Sequence, residues 1–222
     1  MGTVVLAGAT SGSTTLSPTD AVTTVITLPA STDTLIGRAT TDTLTNKTLT
    51  SPTISGTPVM GASVLTSATA QASTSGTSID FTGIPSWVKR ITVMLNGVST
   101  SGTSSIILRI GSGSILATGY VSICSYISSG VGTESSTTEF RLIHNAAMLS
   151  ASEIVGSVTL SLQTSATNIW CENGVLGKVV ASTSTFTNAG TVALSGTLDR
   201  VRITTVNGTD TFDAGSINLL YE

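Results

Sequence analysis

The sequence predicts an all-β protein, and three observations support this fold class. Asp, Glu, Lys and Arg make up only 9% of the 222 residues, whereas they make up roughly 25% of an average soluble domain. Ser, Thr and Gly take their place, and Thr, which is β-branched, favours a pleated strand over a helix. Apolar and polar residues also alternate with a period of two in several segments, which is typical of half-buried strands. Only residues 141–154 could hold a short helical turn.

The first 79 residues differ in composition from the rest of the chain. All nine aromatic residues, four Phe, two Trp and three Tyr, lie after this point, from Phe81 to Tyr221. Residues 1–79 contain small side chains and two short β-like runs, at Val4–Ala7 and at residues 25–29. Because such side chains cannot fill the core of one chain, this region is either disordered or buried between several copies.

A repeat favours burial between copies. The sequence TDTL at residues 32–35 returns at residues 41–44, and short Thr-rich periods are typical of a fibre in which each chain depends on its neighbours. Disordered segments usually combine low hydrophobicity with high net charge, but here charge is nearly absent while Val, Leu and Ile recur. We therefore expect residues 1–79 to form an extended, intertwined β-type shaft.

Residues 80–222 have the pattern of ordinary strands with aromatic residues in the core. Clean alternation occurs at Ile91, Val93 and Leu95, at Val158, Leu160 and Leu162, at Val201 and Ile203, and from Ile217 to Tyr221. Asn207 and Gly208 predict a two-residue hairpin turn, because both residue types tolerate positive φ. Several short strands joined by Gly/Ser segments favour a β-sandwich, with a jelly roll as the first choice.

Charge and hydropathy exclude some classes of protein from consideration. The formal net charge is −3, and the nine basic residues are scattered along the chain, whereas nucleic-acid binding requires a basic stripe. No run approaches the roughly 18 apolar residues of a membrane span, and the first residues lack the cationic part of a secretory signal. We expect a protein assembled in the cytosol that neither binds nucleic acid nor inserts into a membrane.

Four segments resemble fibre and appendage proteins of tailed bacteriophages. Residues 41–52 (TDTLTNKTLTSP) are similar to segments that recur in these proteins, and residues 6–16 (LAGATSGSTTL), continuing to residues 27–30 (TLPA), resemble the N-terminal repeat of such fibres. Residues 80–91 (DFTGIPSWVKRI) and 212–218 (FDAGSIN) resemble the globular β-domain of phage structural proteins. The resemblance implies a homotrimer, a location in the virion, and a distal domain suited to contacting a surface.

On this basis we expect a tail fibre subunit that attaches to the particle and adheres to the host. Residues 1–79 would dock to another virion protein, either a tail adaptor or a capsid protein, and form the trimeric shaft. Residues 80–222 would bind a host surface glycan or envelope protein, with recognition expected in loops at residues 130–138 and 181–190. A capsid-bound head fibre or decoration protein is the alternative, and a capsule depolymerase is a distant third.

The sequence predicts no enzymatic activity, and no catalytic, cofactor-binding or metal-binding residue is assigned. His144 is the only histidine and is expected in a loop, although three copies near a trimer axis could hold an ion. Glycoside hydrolysis needs paired carboxylates, and the candidates, Glu134 with Glu139 and Asp210 with Asp213, are expected in solvated turns. The GSGS segment at residues 111–114 lacks a Walker lysine and is interpreted as a turn.

Trp87 and the two cysteines are expected to be structural residues. Trp87 follows Pro85 at the predicted start of the C-terminal domain, where we expect a packing anchor, with a ligand platform as the alternative. Cys124 and Cys171 do not have a metal-ligand spacing. We expect two buried thiols, and a bridge between them is the alternative.

Overall fold

The computed structural model describes residues 4–7, 13–16, 48–53, 65–145, 148–150, 152–180 and 182–222. The described residues form strands and connecting segments without an α-helix, so the all-β prediction is confirmed for them. The chain divides into two compact units, Met1–Pro58 and Val59–Glu222.

The first unit contains one antiparallel strand pair. Strand β1 (Val4–Ala7) pairs with β2 (Ser13–Leu16), and Val4 lies opposite Leu16. The β-like run predicted at Val4–Ala7 is therefore a strand. The second run, at residues 25–29, and the TDTL repeat lie outside the described residues, and residues 48–53 are exposed and irregular.

Two antiparallel sheets make up the described part of the second unit. The larger sheet contains nine strands: β3 (Thr66–Ser67), β4 (Gln71–Ala72), β6 (Arg90–Thr100), β9 (Val121–Ile127), β10 (Val131–Ser136), β12 (Ile154–Thr164), β13 (Ile169–Lys178), β14 (Ser184–Ala193) and β16 (Phe212–Tyr221). The smaller sheet contains β5 (Ser78–Thr82), β7 (Ile106–Ser112), β8 (Ser114–Ile115), β11 (Phe140–Arg141) and β15 (Arg200–Thr205).

The larger sheet has the strand order β10, β9, β14, β13, β12, β6, β16, and both β3 and β4 pair with β16. Strands β12, β13 and β14 follow one another as hairpins, while β9, which precedes them in the chain, lies beside β14. This arrangement is a Greek key, the topology found in most β-sandwiches. In the smaller sheet, β15 lies between β5 and β7, and β7 also pairs with β11 and β8.

One hydrophobic core joins the two sheets. The predicted inward residues are buried in it: Ile91, Val93 and Leu95, Val158 and Leu160, and Val201 and Ile203. Tyr120 and Phe140 meet edge to face, with ring centroids 4.9 Å apart, and the Tyr120 hydroxyl accepts a hydrogen bond from the Ile110 amide. The sandwich-like architecture thus agrees with the sequence, whereas the jelly-roll subclass and the trimer stay predictions.

Asn207 and Gly208 form a turn, but the predicted hairpin is wrong. Gly208 has a φ of 66°, as the turn requires. The strands on either side do not pair with each other, because β15 belongs to the smaller sheet and β16 to the larger one. The turn therefore connects two layers, and a local pattern of this kind cannot reveal which sheet the next strand joins.

The compact unit also extends before the composition break at residue 79. The Ser73 hydroxyl donates to the Ala214 carbonyl oxygen at 2.8 Å, and β3 and β4 pair with β16. Composition assigns residues 65–79 to the shaft region, but residues 66–72 contribute an edge to the larger sheet, and Ser78 and Ile79 begin β5 of the smaller sheet.

The DFTGIPSWVKRI segment starts on β5 and ends on β6. Asp80 accepts two hydrogen bonds from the Arg202 guanidinium on β15, at 2.6 and 2.7 Å, a bidentate geometry that fixes the β5 and β15 register. Ile84 and Val88 are buried, but Trp87 is 49% exposed. The prediction that Trp87 is the packing anchor is therefore wrong, since the two aliphatic residues fill that role.

Candidate functional site

Two turns meet at one end of the larger sheet. The first, residues 128–130, joins β9 to β10, and the Ser128 amide donates to the Gly130 carbonyl oxygen at 2.9 Å. The second, of which residues 179–180 and 182–183 are described, lies between β13 and β14. Because β14 lies between β13 and β9, with Ser184 opposite Lys178 and Thr185 opposite Ile127, both turns lie at the same end.

A shallow cleft of about 440 Å³ separates these turns, and a second one of about 350 Å³ adjoins it. We call the pair the hydroxyl cleft. Its lining residues are mostly small and hydroxylated: Tyr126, Ile127, Ser128, Ser129, Gly130, Leu149, Gly177, Lys178, Val179, Ser182, Thr183, Ser184 and Thr185. Ser and Thr hydroxyls can both donate and accept hydrogen bonds, so the cleft suits a ligand with many hydroxyl groups.

Tyr126 forms an aromatic wall of the hydroxyl cleft. Its ring packs against the His144 ring, with centroids 4.6 Å apart and the planes tilted by 50°. Gly132 makes room for this pair, because a Cβ atom at this position would lie 2.7 Å from Tyr126 Cε1 and 3.3 Å from His144 Nε2. His144 thus supports an aromatic side chain.

Lys178 is the cationic residue in the lining. Its residue exposure is only 3%, and burial lowers the pKa of the ammonium group. Charge therefore contributes less to this cleft than its hydroxyl groups and its tyrosine ring.

The predicted recognition loops need correction. Residues 131–136 of the first predicted loop form β10. Residues 184–190 of the second belong to β14. Only the ends of the two predicted segments, Gly130 and residues 182–183, belong to turns that line the hydroxyl cleft.

Glu134 and Glu139 converge on one guanidinium group. Arg141 Nη2 lies 3.1 Å from Glu139 Oε1 and 3.5 Å from Glu134 Oε1, while Arg109 Nη2 lies 3.2 Å from Glu139 Oε2. Glu139 is buried and Glu134 lies within strand β10, so the expectation of a solvated turn is wrong for both residues. We call these four residues the Arg141 network.

The environment of Glu139 favours its ionised form. Burial raises the pKa of this carboxyl group, but hydrogen bonds from Ser136 and Thr138 and the charge of Arg141 outweigh burial and hold the pKa below its usual value. The Ser136 hydroxyl donates to Glu139 Oε1 at 2.6 Å. A general acid in glycoside hydrolysis needs the opposite shift.

In the described residues, Asp210 and Asp213 do not share a hydrogen-bond or ion-pair partner. Asp210 accepts hydrogen bonds from the Ser104 amide at 2.9 Å and from Asn207 Nδ2 at 2.7 Å, so it links the connection after β6 to the connection after β15. Asp213 is exposed, but it lies on strand β16 and not in the expected turn. The GSGS segment at residues 111–114 is the predicted turn, between β7 and β8, and the Gly113 amide donates to Asp199.

The cysteines lie on opposite faces of the larger sheet. Both are free; Cys124 is buried, and Cys171 is half-buried on the outer face. The prediction of two buried thiols is thus correct for Cys124 only, and the chain contains no bridge between them.

Glu172 is a residue that the sequence analysis missed. Its exposure is 2%, and within the described residues its carboxyl oxygens have no hydrogen-bond partner. Burial raises the pKa of Glu172 to about 8. The alternation of β13 could have identified it, because Glu172 has the same inward orientation as Trp170 and Leu176, which are both buried.

The chain matches no protein-family model, no curated protein and no solved structure. In the described ranges, no helix is long and apolar enough to cross a membrane. The same residues contain no group of three His, Cys, Asp or Glu side chains that could hold a metal ion. The hydroxyl cleft is one arrangement in the described residues whose lining suits a ligand.

Proposed function

We propose that this chain is the subunit of a homotrimeric virion appendage of a tailed bacteriophage, a tail fibre that adheres to the host surface. The N-terminal region docks to another virion protein, and the C-terminal β-sandwich carries the adhesive surface. Support comes from the segments at residues 6–16, 41–52, 80–91 and 212–218 that resemble such proteins, together with the sandwich-like all-β architecture.

The hydroxyl cleft is the observation that carries the adhesive part of this proposal. The face of the Tyr126 ring suits the apolar C–H face of a sugar, and Ser128, Ser129 and Ser182 offer donors and acceptors to its hydroxyl groups. A host surface glycan therefore fits the cleft by chemistry. A shallow site binds weakly, but three linked copies gain roughly 10²- to 10⁴-fold in avidity.

Binding without cleavage agrees with the state of the carboxylates. Glu134 and Glu139 are held by Arg141, and the lowered pKa of Glu139 disfavours proton donation. Glu172 has a raised pKa, but its side chain lies on the inner face of the sheet, away from the hydroxyl cleft. These features favour an adhesin over a capsule depolymerase.

A matched pair of serine substitutions tests the adhesive site. Ser129 and Ser165 are both exposed turn residues, but Ser165 lies in the β12–β13 turn, at the opposite end of the sheet. We expect Ser129→Arg to fill the cleft and to abolish competition of the purified protein with phage adsorption, while Ser165→Arg competes like the wild type. Adsorption assays with the phage that encodes the chain measure this. Equal competition by both variants would place the adhesive surface elsewhere, and release of sugar from host capsule would indicate a depolymerase.

The location in the particle tests the rest of the proposal. We expect antibodies against the protein to label the tail of purified virions in electron micrographs. Labelling of the capsid would favour the head-fibre alternative, which shares the same build. Absence of the protein from washed particles would contradict both.

A further inference from the structure

The outer surface of five adjacent strands carries no charged side chain. Strands β10, β9, β14, β13 and β12 contain three ionisable acidic or basic residues, Glu134, Glu172 and Lys178. All three occupy inward positions of the alternation, in register with the core residues of neighbouring strands. In a sandwich whose outer face meets water, the opposite distribution is usual.

We call this surface the uncharged face. Its residues are aliphatic, hydroxylated or small: Val121, Ile123, Ser125 and Ile127 on β9, Val131, Thr133 and Ser135 on β10, Thr185, Thr187, Ala189, Thr191 and Ala193 on β14, Cys171, Asn173, Val175 and Gly177 on β13, and Val155, Ser157, Thr159, Ser161 and Gln163 on β12.

Large apolar side chains on the uncharged face are open to solvent in the isolated chain. Val121 is 71% exposed, Ile127 63% and Val131 78%. Ile127 and Val131 are directly opposite each other at the β9–β10 turn, so their exposed surfaces adjoin. Contiguous exposed apolar surface of this kind marks an interaction site.

The size of the face is sufficient for a protein partner. Strands lie ~4.8 Å apart and residues rise ~3.3 Å, so five strands that average about nine residues cover roughly 24 by 29 Å. Side chains project from this plane and add accessible surface, so the total approaches the ~800 Å² that each partner buries in a standard interface.

The absence of charge indicates which partner fits. When copies pack around a three-fold axis, a charged side chain near the axis meets its own copies, and one farther away is buried unless the neighbouring copy supplies a partner; both are unfavourable. A surface made of Val, Ile, Thr, Ser and Ala avoids both costs. A partner recognised by charge complementarity would leave the opposite pattern on this face.

We propose that the uncharged face is the surface through which copies of this chain pack against one another in the C-terminal unit. This inference rests on the proposed homotrimer and names the surface that forms it. Assembly buries the exposed valines and isoleucines, covers Cys171, and covers Ile127, Gly177 and Thr185, which also line the hydroxyl cleft. The part of the cleft lined by Ser128, Ser129, Gly130 and Ser182 stays open to a ligand.

Charge introduced on the face tests the inference in the full-length chain. Ile123→Lys adds a cation to the uncharged face, whereas Val206→Lys is a matched control, because Val206 is an exposed aliphatic residue in the β15–β16 connection. Thr187→Lys is a second variant on the face, in case Ile123→Lys does not fold by circular dichroism. Sedimentation velocity measures the mass, and maleimide labelling measures access to Cys171, since Cys124 is buried in the core.

The expected result is a trimer with slow labelling for the wild type and Val206→Lys. The variants on the face should label at least about tenfold faster, and should dissociate unless the N-terminal region holds the chains together. A wild-type trimer that labels as fast as these variants would overturn the inference and leave the homotrimer intact. A wild-type monomer would overturn both, and protection of Cys171 only on assembled particles would assign the face to another virion protein.

Discussion

Glu172 is an ionisable residue buried on the inner face of the larger sheet, and this position determines how it affects folding stability at different pH values. Because burial raises its pKa to about 8, the folded protein keeps the carboxyl group protonated at neutral pH, while the unfolded chain ionises it above its ordinary pKa near 4.5. The folded state therefore loses stability, relative to the unfolded state, as the pH rises from about 4.5 to about 8. Below this window both states are protonated, and the effect vanishes.

Glu172→Gln removes this titration and keeps the shape of the side chain. We expect the variant to gain stability over the wild type between pH 5 and pH 8, with a limit on the order of 4 kcal/mol from the linkage relation. Urea unfolding at the two pH values measures the difference in the free energy of unfolding. Glu153→Gln, on a partly exposed glutamate, is the control. A Glu172→Gln effect that is the same at both pH values would contradict the buried, protonated carboxyl group.

The charged residues show what residue types alone can and cannot predict. The sequence identified Glu134 and Glu139 as a possible pair, and the structure does bring them together. It could not predict that Arg141 lies between them, because the guanidinium reaches them through pairing of β11 with β7 and contact with β9 and β10. Trp87 was placed wrongly because the segment supplies two other apolar residues, Ile84 and Val88, that point inward.

At the level of the strand, alternation predicted the buried positions of β6, β12 and β15. Residues 131–136 and 184–190 lie in the segments expected to be recognition loops, but they form β10 and most of β14. Thr is a strand-forming residue, so a high Thr content does not by itself indicate a loop. The outward side chains of these strands are hydroxylated or aliphatic and belong to the uncharged face. The hydroxyl cleft was for this reason only partly predictable, through residues 130 and 182–183.

Gly190 controls how closely β11 packs on β14. A Cβ atom at Gly190 would lie 2.8 Å from Phe140 Cδ1 and 2.8 Å from the Val121 carbonyl oxygen, so the ring or the backbone would have to move. We expect Gly190→Ala to lower the free energy of unfolding by roughly 1–3 kcal/mol, the usual cost of overpacking.

Gly177→Ala provides the control for this substitution. Gly177 also lies in a strand of the larger sheet, but its Cβ would meet Val155 Cγ2 at 3.6 Å, an ordinary contact. Thermal or urea unfolding of both variants measures the difference. If Gly177→Ala were as destabilising as Gly190→Ala, the close approach of Phe140 would not be the cause.

For the whole molecule, the fold class followed from composition and periodicity, but the topology did not. A period of two shows which face of a strand is buried and leaves its neighbour in the sheet undetermined. The pairing of β6 with β16 joins residues more than a hundred positions apart, and the β15–β16 connection crosses between layers. Long-range pairings of this kind are fixed by the complete core, to which both sheets contribute.

The position of β16 has a consequence for the order of events during synthesis. This strand, residues 212–221, lies between β6 and the short strands β3 and β4, so the ribosome has already released its neighbours when it is made. Ile91, Val93 and Leu95 lack their cross-strand neighbours Tyr221, Leu219 and Ile217 until then. The larger sheet therefore closes only after residues 212–221 have been synthesised, and closure is slow because distant segments have to meet. Nascent chains therefore expose the unpaired edge of β6, which chaperones would have to cover.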